Sequence, residues 1–131
     1  MKQAERDLKQ LEEKYRNDPK YLEKLADALS RAILASSSTQ QQNIYGPKLW
    51  KTLRLFEDPE GALIQYLSPI VEKNPQKALY WMFYQLGDAY AAKNNTKKAI
   101  EAYRKGLEIH PKDKFFLDHL QALERRLKSR R

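Results

Sequence analysis

An all-α fold is what the sequence predicts, on three observations. Glycine is scarce, with four residues in 131, and the six prolines fall between apolar-periodic segments rather than inside them. Ala, Leu, Lys, Glu and Gln are abundant, a composition that favours helices joined by short turns. Strand-like alternation of apolar and polar residues is absent. A chain of this length suits one domain, able to bury about two thirds of the surface its unfolded form exposes, so it needs no staples.

Composition also narrows the function classes. The chain has no cysteine, which excludes disulfides and thiolate metal sites and fits a reducing, cytoplasmic setting. No run of about 18 apolar residues exists to span a membrane. The start, "MKQAERDLKQLEEKYR", is charged throughout and lacks the apolar stretch of a secretory signal. His110 and His119 are the only histidines. His110 reads as a polar turn residue and His119 as surface decoration, since the adjacent Asp118 points elsewhere on a helix. Neither HExxH nor a phosphate-cradling glycine loop occurs. No catalytic residue, cofactor site or metal site is expected, and the protein does not read as an enzyme.

The elements follow in order. Leu8, Leu11 and Tyr15 give the i, i+3, i+7 spacing of a first helix. Asp18 and Pro19 then suit the start of a second, whose buried stripe is Leu22, Leu25, Leu29 and Ile33. "SSSTQQQN" is too polar to pack and predicts a loop over 36–46. A short helix near Pro47–Phe56 follows, with Leu49, Trp50 and Leu53 as its core side. "EDPEG" separates it from a helix starting near Pro59, in which Pro69 predicts a kink. Residues 80–113 supply two helices. "FFLDHLQALERRL" (115–127), with Phe116, Leu120, Leu123 and Leu127 on one face, predicts a capping helix. The total is about seven helices, paired as hairpins.

The hairpins look like repeats. "ALIQYLSPIVEKNP" (62–75) and "AIEAYRKGLEIHP" (99–111) share an alanine, a tyrosine four residues later, an aliphatic residue after four more, and a closing proline. The similarity recurs after 37 residues, within the range of helical solenoids. The 34 residues from Tyr80 to Asp113 resemble a tetratricopeptide repeat. The family's Leu-Gly pair falls on Leu86-Gly87, its tyrosine on Tyr90 and its alanine on Ala99. Its second-helix aromatic falls on Tyr103, its later small residue on Gly106 and its closing proline on Pro111. Phe83 stands where the family has tryptophan. The resemblance implies a right-handed α-solenoid of antiparallel helix hairpins. In that scheme 1–35 is an N-terminal helix pair and 47–75 a degenerate repeat without the Leu-Gly pair. Residues 80–113 are the well-matched repeat, and 114–131 a capping helix with a basic tail.

The same resemblance implies where a ligand lies. Phe83, Leu86 and Tyr90 should face the core. Trp81, Tyr84, Gln85, Asp88 and Ala92 fall on the side of the repeat's first helix that lines the family's concave groove. Tyr45 and Trp50 could extend that surface. The alternative is that Trp81 and Tyr84 are covered by the preceding hairpin or the Ser/Gln segment. Family members that grip the carboxylate tails of chaperones use Lys, Asn and Arg on these positions. Asp88 would repel such a tail, so an apolar or partly basic segment suits this groove better.

The net charge of +8 rises along the chain. The surplus is +1 over 1–35, 0 over 36–61, +3 over 62–111 and +4 over 112–131. It ends in "ERRLKSRR", where Arg125, Arg126, Lys128, Arg130 and Arg131 form a basic patch. Cations there complement a helix C-terminus and keep the chain soluble. They would also suit nucleic-acid phosphates or an anionic membrane, although no aromatics interleave with them as single-strand stacking requires. The leading expectation is a protein-interaction module that binds a partner segment. The alternatives are a basic accessory factor for nucleic acid or membrane, and a self-associating structural piece.

Overall fold

The computed structural model describes residues 6, 9, 10 and 20–129. Six α-helices run through them: α1 (Tyr21–Ala35), α2 (Thr39–Leu53), α3 (Pro59–Ser68), α4 (Tyr80–Ala92), α5 (Thr96–Ile109) and α6 (Lys114–Ser129). A π-helical turn, Pro69–Lys73, extends α3, and a 3-10 turn, Pro75–Lys77, follows it. No strand occurs among the described residues. Helices pack mainly on chain neighbours, α1 on α2, α3 on α4, α4 on α5 and α5 on α6, which is compatible with a helical-repeat solenoid. The helix expected around Leu8, Leu11 and Tyr15 lies outside the described residues, as do Asp18, Pro19, Arg130 and Arg131. No described helix is long and apolar enough to cross a membrane.

The polar tract is where the structure departs most from expectation. Residues 39–46 are not a loop but the first half of α2. Ser38 is its N-cap, accepting from the Gln41 N–H at 3.2 Å, while Gln41 Oε1 accepts from the Ser37 N–H at 2.9 Å. That reciprocal pair offers two otherwise unpaired donors a partner, close to a capping box. Pro47 falls inside the helix and is exposed there. The buried side of α2 is Gln42, Tyr45, Gly46, Leu49, Thr52 and Leu53, and it packs chiefly on α1. Its contact with α3 is slight.

Elsewhere local chemistry sets the boundaries as the sequence suggests. Asp58 caps α3 through the Gly61 N–H at 3.1 Å, with Pro59 in the first turn. Lys93 Nζ lies 2.7 Å from Asp58 Oδ2 and holds that carboxyl below its usual range, with the Gly61 amide contributing. At Pro69, where the sequence predicts a kink, the α-helix ends and the chain continues as the wider π turn. Asn94 takes the left-handed conformation (φ 62°) that ends α4, and Asn95 caps α5 through the Lys98 N–H at 3.3 Å. Asp113 Oδ1 accepts from the Phe115 N–H at 2.9 Å at the start of α6.

One core runs through all six helices, from Leu25, Leu29 and Ile33 through Leu67, Phe83 and Tyr103 to Phe116 and Leu123. Leu22 is only half-buried at its edge. Phe83, Leu86 and Tyr90 are buried as the spacing predicts. Tyr90 reaches toward α3, its hydroxyl 2.9 Å from Ser68 Oγ and donating to Glu72 Oε1 at 3.3 Å. Tyr103 reaches the other way, its ring centre 6.1 Å from that of Phe116. The two tyrosines therefore join the α4–α5 hairpin to its neighbours on both sides.

Candidate functional site

The outer strip of α4 carries the expected groove residues, and the structure divides them. Gln85, Asp88 and Ala92, at i, i+3 and i+7, line an open hollow of ≈ 350 Å³ with Ala89. Its opposite wall is Arg54, Pro59, Glu60 and Leu63. The lining mixes buried Leu63 and Ala89 with the more exposed charges of Arg54, Glu60 and Asp88. Arg54 is held with its guanidinium 5.0 Å above the ring of Trp50.

Trp81 and Tyr84 are not free in this hollow. Trp81 is half-buried against α2: its Cζ2 lies 3.2 Å from the place a side chain on Gly46 would occupy. Tyr84 is half-buried against α6, with ring-centre distances of 4.4 Å to Phe115, 5.1 Å to His119 and 6.0 Å to Tyr103. Two further expectations need correction. Tyr45, 2% exposed, belongs to the core because the segment carrying it is helical, not looped. Trp50 is half-buried with its indole N–H enclosed and unpaired among the described residues, so it backs Arg54 rather than presenting a surface.

His119 was expected to be surface decoration, but it packs among aromatic rings. Its Nδ1 is 2.8 Å from the Phe115 carbonyl oxygen and its Nε2 is 3.4 Å from the Tyr84 hydroxyl. His110 does lie exposed at the α5–α6 turn, edge-on to Tyr80. Sequence reasoning missed this aromatic cluster because its members come from α4, α5 and α6. A usable signal was present: Phe115 and His119 are four residues apart on one helix face.

Asp88 links the hollow to that cluster. The Tyr103 hydroxyl donates to Asp88 Oδ1, and the Tyr84 hydroxyl feels the same carboxylate. Burial first raises the pKa of both phenols; the hydrogen bond to Asp88 comes next for Tyr103, and the Asp88 charge for Tyr84. Tyr66 is pushed up to about 12, again by burial first and then by Asp27. The sign of the stability effect follows. Below pH 10 the phenols are neutral in folded and unfolded chains alike, and their contribution is complete. As pH rises from about 10 through 12, the unfolded chain ionises them before the folded chain does, and stability is lost. Urea midpoints are expected to fall between pH 9 and pH 11.5, and Tyr66→Phe should flatten that fall. An equally steep fall in Tyr66→Phe would remove Tyr66 from the cause.

The basic patch is exposed where it is described: Arg125, Arg126 and Lys128 face solvent at the end of α6. Nearby, Arg104 pairs with Glu124 at 3.0 Å on the surface, an arrangement that adds little stability. No group of three or more His, Cys, Asp or Glu among the described residues could hold a metal ion.

Comparison with known families finds one match, to the family described as Tetratricopeptide repeat, over residues 80–113. No curated protein and no solved structure gives a significant match. The matched span begins and ends with the α4–α5 hairpin and its closing turn. Within it, Phe83, Leu86, Gly87, Tyr90, Ala99, Tyr103 and Gly106 are all buried. Residues 80–113, a helical hairpin in a chain whose described residues form helices and no strand, match the tetratricopeptide repeat family.

Proposed function

We propose that the protein is a non-enzymatic interaction module that binds a partner protein segment in the hollow between α3 and α4. Tetratricopeptide repeats generally mediate protein–protein interactions. The observation that carries the reading is the open strip of Gln85, Asp88 and Ala92 on the repeat's first helix, facing Leu63 and Pro59 across unfilled space. An extended or helical segment could lay an apolar side chain against Ala89 and Leu63. The charges would set its direction, and they disfavour a carboxylate tail at Asp88.

Ala92 is exposed at the end of α4, so Ala92→Trp should fill the hollow without entering the core. Peptides selected from a random display library on the full chain are expected to bind Ala92→Trp at least about tenfold more weakly, which is the loss of one good contact. Unchanged affinity in a folded variant would place the binding surface elsewhere. The variant Arg125, Arg126, Arg130 and Arg131 to Ala serves as the control. It should slow association at low salt and leave dissociation almost unchanged. If that variant alone loses binding, and binding falls steeply between about 50 and 200 mM salt, the basic accessory reading replaces this one.

A further inference from the structure

We infer that the hollow selects a partner segment by a cationic side chain, arginine above lysine, received by Asp88. The inference rests on the groove reading and names what the groove recognises.

Asp88 is a half-buried carboxylate that pairs with no cation among the described residues. That is notable in a chain with 25 basic and 17 acidic side chains, where nearby cations are plentiful. The two ion pairs among the described residues go to Asp58 and Glu124 instead. The basic residue that lines the hollow, Arg54, lies over the ring of Trp50.

The carboxylate is also held in place. The Tyr103 hydroxyl donates to Oδ1, and Tyr103 itself is 1% exposed and locked against Phe116. An oxygen that accepts one hydrogen bond retains a second lone pair, and Oδ2 adds more, so the group can still take the planar fork of a guanidinium. Glu60 on the far wall adds negative charge. Two carboxylates against the one guanidinium of Arg54 leave the lining with a net charge of −1, on a protein of net charge +8. A cationic partner would be drawn to this one place, and repelled from most of the rest of the surface.

Selected peptides from the display experiment provide the test. Enriched sequences are expected to share Arg or Lys at one fixed position. Exchanging that Arg for citrulline, which has the same shape without the charge, should weaken binding to the wild-type chain by roughly 10- to 100-fold. The same exchange should change binding to Asp88→Asn by less than about threefold, because the amide oxygen keeps the Tyr103 bond and only the charge is gone. The citrulline comparison on the wild-type chain does not depend on how the variant folds. Peptides that lose affinity in Ala92→Trp yet share no basic residue would overturn the cation inference while leaving the groove reading standing. Peptides indifferent to Ala92→Trp would overturn both. Concentration-dependent dimers lost in Asp88→Asn would show that the occupant is a second copy's basic end, and would overturn the assignment to a separate partner.

Discussion

The double replacement Trp81→Ala and Tyr84→Ala is expected to lower stability by about 4 kcal/mol rather than to give a folded chain that merely fails to bind. A fully buried large aromatic typically loses about 3–5 kcal/mol on truncation to alanine. Both residues are half-buried, so roughly 2 kcal/mol each is the fair share of that range. Tyr84 adds a tilted ring contact at 4.4 Å and an edge contact at 5.1 Å, pairs that contribute about 0.5–1.5 kcal/mol beyond area. Domains are stable by only about 5–15 kcal/mol, so the loss should be visible as a drop of about 10 °C or more in Tm. Tyr84→Ala alone should loosen α6, which packs on α5 and closes over Tyr84. Amide exchange over Phe116–Leu127 would report that directly. A double variant that melts at the wild-type temperature would return both rings to the open groove.

The expected loss follows the alternative reading for Trp81, covered by α2 at Gly46, and adds α6 as the cover of Tyr84; the reason is physical. Face assignment along α4 separates core from surface correctly, because Phe83, Leu86 and Tyr90 repeat at helical spacing. It says nothing about which part of the outer face another helix covers. Trp81 shares the strip of Gln85, Asp88 and Ala92 but sits at its N-terminal end, where Gly46 of α2 approaches. Tyr84 lies at the edge of the strip, under α6. Only the middle of the strip stays open. Burial by a neighbour is a tertiary fact that one helix's pattern does not carry.

The same limit explains α2. Its buried face begins with Gln42, Tyr45 and Gly46, which no hydrophobicity rule reads as an apolar stripe. Gly46 is there for closeness: a Cβ on it would meet Leu79 at 2.6 Å. The tract still held a readable start signal, Ser38 with Gln41 three residues later, the spacing of a capping box. Polar composition outweighed it. By contrast, the repeat at 80–113 was legible because each motif residue has one steric task within the hairpin or toward its neighbour. Gly87 admits the Tyr103 ring, and Gly106 admits Phe116.

Gly87→Leu is expected to destabilise the chain by about 3 kcal/mol, the upper part of the usual range for overpacking. A Cβ at Gly87 would stand 2.9, 3.0 and 3.1 Å from three atoms of the Tyr103 ring, the first closer than real side chains come and the others tighter than most. The ring has little room to yield. Its hydroxyl is bonded to Asp88, and its sides meet Phe116, Tyr84 and His119. Alanine separates the two terms at work. Removing glycine from a helix interior gains about 0.8–1 kcal/mol of propensity, which offsets part of a single methyl's overlap. Gly87→Ala should therefore change stability by no more than about 1 kcal/mol, whereas leucine adds volume with no further propensity gain. Urea denaturation of both variants, repeated with Tyr103→Leu in the background, completes the argument. If the clash is with the Tyr103 ring, the smaller side chain should relieve it, and the cycle should show a coupling of about 1–3 kcal/mol. An equal loss from Gly87→Leu with and without the ring would mean that α4 and α5 are held together at some other point, and that the small residue serves the backbone instead.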